Sequence, residues 1–172
     1  MKRPLVVVMG VSGSGKTTIG GLLAAALATP FVDGDDLHPA ANVAKMAAGV
    51  PLDDEDRWPW LSAVGRRLSA AGPEGLVVAC SALKRVYRDA IRAEAPETVF
   101  VELDGGHALL DRRMRERPNH FMPPSLLDSQ LATLQPLADD EPGIRVSVSA
   151  PPDGVVAEVV RWLGDASGRL GD

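Results

Sequence analysis

A glycine-rich segment near the start of the chain has the residue types that hold a triphosphate. Gly10 and Gly15, separated by four residues and followed by Lys16 and Thr17, match the Walker A pattern. Glycines let backbone N–H groups approach phosphate oxygens, lysine can bridge the β- and γ-phosphates, and the threonine hydroxyl can ligate Mg²⁺. We therefore predict that ATP binds along the whole loop, at Gly10, Val11, Ser12, Gly13, Ser14, Gly15, Lys16, Thr17 and Thr18.

The segments on either side of this loop favour a phosphate site over a solvated turn. Residues 5–9 are a short apolar run typical of a buried strand, and residues 18–28 have the Ala/Leu-rich composition of a helix. The motif requires both elements, because the N-terminus of the helix must point at the phosphates. A glycine-rich turn with a merely solvated Lys16 is the alternative.

A cluster of carboxylates follows the second predicted strand, residues 30–33. Ligands of α/β sheets bind beyond the carboxyl ends of the strands, so Asp33 and Asp35 are expected beside the phosphate loop. The predicted strand over residues 75–80 ends without an aspartate, which makes Asp33 the carboxylate available for Mg²⁺. Asp35 would then accept the proton of the acceptor hydroxyl, with Asp36 as its competitor. A solvated acidic turn is the alternative for all three.

Basic residues after the strand over residues 75–80 predict a pocket for an anion. Lys84 and Arg88 are four residues apart on a helix predicted over residues 82–95, with Ser81 as its N-cap. The resulting cationic pocket suits an anionic substrate, and Arg57 is expected to assist. An ordinary solvated basic face is the alternative.

A second basic stretch begins what we predict to be a helical lid over residues 112–136. Arg113 is expected to stack on adenine, and Arg117 to reach the transferring phosphate. His38, beside the acidic turn, and His120, in the lid, could each hydrogen-bond a hydroxyl of a polyol. Solvated side chains are the alternative for each of these residues.

Strands and helices alternate along the chain, which indicates βαβ units and a parallel sheet. We predict an α/β fold of three layers with five parallel strands, in a single domain over residues 1–172. The predicted strands are residues 5–9, 30–33, 75–80, 99–103 and 144–148. The predicted helices are residues 18–28, 39–48, a third that follows an acidic loop at 51–60 and ends near 71, then 82–95, 107–116, 125–134 and 152–163.

Composition narrows the possible partners. The 172 residues carry a net charge of −5 with a pI of about 5.2, which disfavours binding to nucleic acid or to an anionic membrane. No apolar stretch approaches the ~20 residues of a membrane span. Cys80 is the single cysteine, which excludes an internal disulfide and fits a reducing compartment. We therefore expect a cytoplasmic protein.

Several motifs together resemble the small P-loop gluconokinases. They are Gly-Val-Ser-Gly-Ser-Gly-Lys-Thr at 10–17, Asp-Gly-Asp-Asp-Leu-His-Pro at 33–39, Asn42 with Lys45-Met46, Cys-Ser-Ala-Leu-Lys at 80–84, His120-Phe121 and Ser129-Gln130. The resemblance implies a P-loop kinase fold and ATP- and Mg²⁺-dependent phosphorylation of D-gluconate to 6-phosphogluconate, feeding the pentose phosphate pathway. It also implies a homodimer. We expect gluconate contacts from Asp35, His38, Arg57, Ser81, Lys84, Arg88, His120 and Gln130.

Two other classes of function remain open at this point. The first is a shikimate-type or nucleoside-monophosphate kinase, although base-reading aromatic side chains are scarce around the second site. The second is a nucleotide-regulated binding module that phosphorylates no small acceptor. Release of ADP only when gluconate is added would separate the three.

Overall fold

The computed structural model describes residues 2–116 and 124–169 and places five parallel strands of these residues in one sheet. The strands are β1 (Leu5–Met9), β2 (Phe31–Asp33), β3 (Leu76–Ala79), β4 (Val99–Asp104) and β5 (Gly143–Ser147). Their order across the sheet is β2-β3-β1-β4-β5. The central strand β1 therefore lies between β3 and β4, where Val7 pairs with Val78 on one side and with Phe100 on the other.

Helices connect the strands, as right-handed parallel connections require. They are α1 (Lys16–Leu27), α2 (Ala40–Ala47), α3 (Asp54–Ser69), α4 (Arg85–Glu94), α5 (His107–Arg115), α6 (Pro124–Thr133) and α7 (Pro152–Arg169), with short 3₁₀ turns at Gly34–Leu37 and Gly72–Glu74. In the part of the chain that the structure describes, no helix has the length and apolar character to cross a membrane.

Both faces of the sheet are buried, because consecutive strand residues point to opposite sides and both sets are apolar. On one face Val7 belongs to a core that includes Ile91 of α4. On the other face Val8 belongs to a core that includes Leu23 of α1 and Val159 of α7. The predicted three-layer α/β fold with a five-stranded parallel sheet is confirmed.

Helix α3 begins earlier than predicted, inside the acidic run expected to be a loop. Asp53 and Asp56 form a reciprocal capping box, in which each side chain accepts a hydrogen bond from the other's backbone N–H, at 2.8 and 3.0 Å. Carboxylates in the first turn also favour this helix N-terminus, and the helix continues through Pro59. The prediction of a loop over residues 51–60 was therefore wrong for most of its length.

Helix α4 begins later than predicted, and α7 ends later. Ala82 has a φ of 44°, which interrupts any helix at that position, and Lys84 rather than Ser81 is the N-cap. The predicted N-cap role of Ser81 was wrong. Helix α7 continues to Arg169, six residues beyond the predicted end at 163.

Candidate active site

The loop between β1 and α1 has the geometry of a phosphate cradle. Gly15 precedes α1 with a φ of 94°, a conformation that residues with a side chain rarely adopt. Lys16 opens α1, and its Nζ donates to the backbone carbonyl of Val11 at 3.1 Å. The buried Ser14 hydroxyl donates to the same carbonyl at 2.7 Å. The loop thus brings a lysine and the positive end of a helix to one place, as a polyphosphate requires.

Two cavities open beside this loop and share some of its residues as walls. The smaller cavity, of about 410 Å³, is also lined by Arg113 and Val148. The larger cavity, of about 800 Å³, is lined by Lys16, Asp35 and Ser81. A ligand bound to the loop would reach both cavities, so the arrangement suits a nucleotide in the smaller one and an acceptor in the larger one.

Arg113 lies in the smaller cavity, on α5. Its Nη2 donates to the backbone carbonyl of Val148 at 2.8 Å, which holds the half-buried guanidinium at the cavity wall. A guanidinium fixed in this way can stack on a planar base. The adenine contact of Arg113 stays a prediction.

The acidic turn after β2 lies against the end of β3. A Cβ atom at Gly34 would come within 2.5 Å of the backbone carbonyl oxygen of Ala79, so only glycine allows this close approach. Trp60 of α3 donates from Nε1 to the Gly34 carbonyl at 2.8 Å. Asp33 accepts a hydrogen bond from the backbone N–H of Asp35 at 3.0 Å. These contacts place Asp33 and Asp35 in the wall of the larger cavity, with Lys16.

The surroundings of Asp35 act on its protonation. Removal of the carboxyl group from water by the cavity walls, together with the neighbouring Asp33 charge, raises the pKa of Asp35 from the ordinary value of 3.8, and Lys16 opposes the rise. Asp35 as a residue is nevertheless exposed, so the carboxyl group remains accessible to an acceptor in the cavity. A more basic carboxylate beside a phosphate site is suited to accept a proton.

His38 ends the acidic turn and is held on two sides. Its ring stacks on Trp60 with centroids 4.2 Å apart and planes 15° apart. Asn42 of α2 lies 3.2 Å from its Nδ1. Desolvation lowers the pKa of His38, with Arg57 adding to the effect and Asp35 opposing it. A neutral imidazole is therefore favoured at this position at neutral pH.

Two of the predicted anion-binding cations, Arg57 and Lys84, meet at one carboxylate. Asp54 lies 3.7 Å from Arg57 and 3.6 Å from Lys84, and both cations lie within 5.6 Å of the Tyr87 ring. The hydrogen bond from the Tyr87 hydroxyl to Asp54, and the charges of Lys84 and Arg57, lower the pKa of Asp54. One ionised carboxylate between two cations leaves a net positive charge, so this group can accept a second carboxylate from a ligand.

Arg88 was predicted to belong to the same cationic pocket, and its position does not fit that role. The side chain is 1% exposed, and its Nε and Nη2 donate to Glu141 at 2.7 and 2.9 Å. Its Nη1 donates to the backbone carbonyl of Ala82 at 2.9 Å, the residue with positive φ. Arg88 therefore anchors the turn that carries Ser81 and Lys84 and does not face the open cavity.

We predict that breaking this buried pair costs stability rather than substrate affinity. Glu141→Gln leaves the Arg88 charge buried without its counter-ion, which should lower the free energy of unfolding by about 3–5 kcal/mol. Denaturant unfolding followed by circular dichroism measures this change. The neighbouring pair of Arg85 and Asp140 is exposed, so Asp140→Asn should leave the unfolding midpoint nearly unchanged. Equal effects of the two substitutions would contradict the assignment.

Two further predicted contacts lie in the larger cavity, Ser81 and Gln130. The side-chain oxygen of Gln130, on α6, accepts a hydrogen bond from the backbone N–H of Ser12 at 2.6 Å. Helix α6 is thereby tied to the phosphate loop. Whether Ser81 and Gln130 touch gluconate stays a prediction.

Sequence reasoning assigned no role to several residues that shape this site: Asp54, Tyr87, Asn42 and Glu141. Their roles depend on contacts between elements far apart in the sequence, such as the pairing of Arg88 with Glu141 over 53 residues. Signals exist for two of them: Asn42 lies in one of the motifs of the resemblance, and a carboxylate such as Asp54 at a helix N-terminus beside a predicted cation is detectable from spacing.

Two predicted residues, Arg117 and His120, lie outside the described residues, as does the middle of the predicted lid. Among the residues that are described, no group of three or more His, Cys, Asp or Glu side chains could hold a metal ion. Thr17 and Asp33 share the larger cavity with Lys16, however, and Mg²⁺ takes few protein ligands when phosphate oxygens and water supply the others. The residues present therefore fit a nucleotide-bound Mg²⁺, for which phosphate oxygens and water would be the other ligands.

Known proteins with similar sequences are kinases. The family model for shikimate kinase matches residues 12–136. A gluconokinase of Gluconobacter oxydans (strain 621H) is 49% identical over 164 residues, which cover 94% of this chain and 92% of the relative. The thermosensitive gluconokinase of Escherichia coli (strain K12) is 46% identical, with 83% of this chain and 78% of the relative covered.

A solved structure agrees with the sequence relatives. The crystal structure of a gluconokinase from Sinorhizobium meliloti 1021 is similar with a TM-score of 0.89 at 46% identity, and the likeness covers 98% of this chain and 95% of that one. Both the P-loop kinase fold and the family predicted from the motifs are confirmed. The chain belongs to the gluconokinases, and it matches the shikimate kinase family model over residues 12–136.

Proposed function

We propose that the protein transfers the γ-phosphoryl group of ATP to the 6-hydroxyl of D-gluconate, forming 6-phospho-D-gluconate. The larger cavity carries this proposal, because it combines Lys16 of the phosphate loop with Asp35 of the acidic turn. The names of the relatives, gluconokinases at 46–49% identity, support gluconate as the acceptor.

The residues of this cavity, with His38 at the end of the acidic turn, divide the chemistry between them. Asp35 accepts the proton of the attacking hydroxyl, and Lys16 offsets charge on the transferring phosphoryl group. Thr17 and Asp33 are the residues that would hold Mg²⁺, which when bound supplies neutralisation of the β- and γ-phosphate oxygens. In-line transfer then depends on positioning the hydroxyl, a task we assign to Asp35 and His38.

The other end of gluconate is its carboxylate, which we assign to Arg57 and Lys84. Both cations are half-buried, and Arg57 is near enough to His38 for its charge to act on the pKa of the imidazole. Arg57 and Lys84, with Asp54 between them, therefore lie next to the end of the acidic turn. An arginine fork can pair a carboxylate with two hydrogen bonds, and lysine adds a compact charge.

We predict that Arg57→Gln and Lys84→Met each raise the gluconate KM by roughly 10-fold or more, because a charge-assisted hydrogen bond is lost. The ATP KM should change little, since neither residue lines the smaller cavity. Steady-state kinetics with each substrate varied in turn measure both constants. The control is Arg66→Gln, which removes an exposed arginine from the last turn of α3, the helix that contains Arg57. It should change neither KM. An equal rise in both KM values would place the carboxylate elsewhere.

The activity itself is tested by release of ADP in a coupled assay, with gluconate, shikimate, glycerate and nucleoside monophosphates offered in separate reactions. Release that depends on gluconate supports the proposal. Release with shikimate or a nucleoside monophosphate would favour the corresponding kinase. ATP binding without release of ADP for any acceptor would favour a nucleotide-regulated binding module.

We also infer that residues 112–136 act as a lid within a single domain. Leu127 of α6 belongs to the same buried cluster as Val11 and Leu83. Arg113 lines the smaller cavity and Gln130 lines the larger one, which supports a lid in contact with both cavities. The homodimer and the cytoplasmic location stay predictions. Sedimentation velocity measures the first, and fractionation of cells the second.

A further inference from the structure

Asn42 of α2 is a buried polar residue whose side chain reaches the histidine of the site. It is 3% exposed. Its Nδ2 donates to the backbone carbonyl of Asp56 at 2.9 Å and lies 3.2 Å from Nδ1 of His38. A carbonyl oxygen can only accept, so the atom that faces Asp56 must be the amide nitrogen and not the amide oxygen.

The orientation of this amide determines which nitrogen of the neutral His38 ring carries the proton. The nitrogen of Asn42 carries two hydrogens, of which one is used by the Asp56 carbonyl. An amide nitrogen can only donate, so in its contact with Nδ1 of His38 it supplies the second hydrogen, and Nδ1 must carry a lone pair. In a neutral imidazole the proton then lies on Nε2.

Trp60 fixes the plane in which that proton lies. The indole stacks on the His38 ring, and it is anchored by its own hydrogen bond to the Gly34 carbonyl. The ring is therefore held by Asn42 at one edge and by Trp60 across one face. Rotation that would exchange its two nitrogens has to break the contact with Asn42 and the stack with Trp60.

We propose that Asn42 is a positioning residue that holds His38 in the neutral Nε2–H tautomer, so that His38 offers a hydrogen-bond donor to an oxygen of the bound polyol acid. The identity of this ligand rests on the proposed function, whereas the tautomer is a property of the protein without ligand. The lowered pKa of His38 agrees with a neutral ring. A hydroxyl that gives its proton to Asp35 has only lone pairs left, so its second partner must be a donor.

A purely structural role for Asn42 makes different predictions. The bond to the Asp56 carbonyl ties α2 to α3, as does the ion pair of Lys45 with Asp56 at 2.8 Å. If that connection were the only role of Asn42, its replacement would lower stability but would not change which nitrogen of His38 is protonated. Its effect on activity would then be the same with or without His38.

The test is a long-range ¹⁵N–¹H NMR spectrum of the histidine side chains in the ligand-free protein, in which His38→Gln assigns one of three histidines. We expect His38 to show a protonated Nε2 and an unprotonated Nδ1. Asn42→Asp replaces the donor by an acceptor and should shift the proton to Nδ1, whereas Val43→Ala, at an exposed neighbour on α2, should change nothing. A proton on Nδ1 in the unsubstituted protein overturns the proposal, even if Asn42→Asp fails to fold.

Kinetics separate this role from a structural one. Asn42→Asp should lower kcat/KM for gluconate by about 10-fold with the ATP KM unchanged, as expected for one misdirected hydrogen bond. In a His38→Gln background the same substitution should have little further effect, because its partner is absent. If Asn42→Asp still lowered kcat/KM for gluconate by the full ~10-fold in the His38→Gln protein, the proposal would be overturned. If the NMR spectrum were as expected but the protein did not phosphorylate gluconate, only the proposed function would be refuted.

Discussion

Lys16→Met is expected to lower kcat by at least about 10²–10³-fold while the protein stays folded. Lys16 opens α1 at the phosphate loop and lines the larger cavity, so its charge is placed to act on the transferring phosphoryl group. Loss of a preorganised group of this kind removes stabilisation that is specific to the transition state. Methionine keeps an unbranched side chain and a high helix propensity, which preserves the start of α1.

The control for this prediction is Lys2→Met, which removes a lysine that forms an exposed ion pair with Glu97. It should leave turnover unchanged. Gluconate-dependent release of ADP gives kcat for both variants, and circular dichroism checks that they fold. A folded Lys16→Met protein with near-normal turnover would contradict the assignment of the phosphate loop.

The sheet and the loop were predictable because their signals are local. Apolar runs of five and four residues define β1 and β3, and β4 is apolar except at Glu102 and Asp104. The glycines with Lys16 and Thr17 mark the turn into α1. The position of Asp35 in the larger cavity followed from a general rule, that strands of one parallel sheet present their carboxyl ends at the same edge. Such rules need no knowledge of side-chain packing.

Arg88 shows why the rest of the site was not predictable. The spacing of four residues places Lys84 and Arg88 on one helix face only if both are helical. Helix α4 begins at Arg85, so Lys84 lies outside it and this condition is not met. The carboxylate that pairs with Arg88 comes from Glu141, after the whole of β4 and the lid region. A buried arginine requires such a partner, but spacing along the chain does not identify it. Hydrogen bonds from Asn42 and Trp60 depend on tertiary contacts in the same way.

Asp35→Asn is expected to lower kcat by roughly 10²–10⁴, the range for a positioned general base. Asparagine keeps the size of aspartate and part of its hydrogen bonding, but it cannot accept the hydroxyl proton. The backbone N–H of residue 35 can still donate to Asp33, so the turn should keep its shape. Binding of ATP with Mg²⁺, measured by calorimetry, should therefore be nearly normal while turnover is lost.

Asp36→Asn is the matched control, because it makes the same chemical change one residue later in the same 3₁₀ turn. Asp35 and Asp36 are both exposed and lie in the first turn, but Asp33 and Asp35 line the larger cavity and Asp36 does not. We expect Asp36→Asn to keep kcat within a few-fold of the unsubstituted protein. Since both variants remove one negative charge near the phosphate loop, a general electrostatic effect would change their rates alike. If Asp36→Asn were inactive and Asp35→Asn active, the base would be Asp36. The proposed kinase activity would still stand in that case.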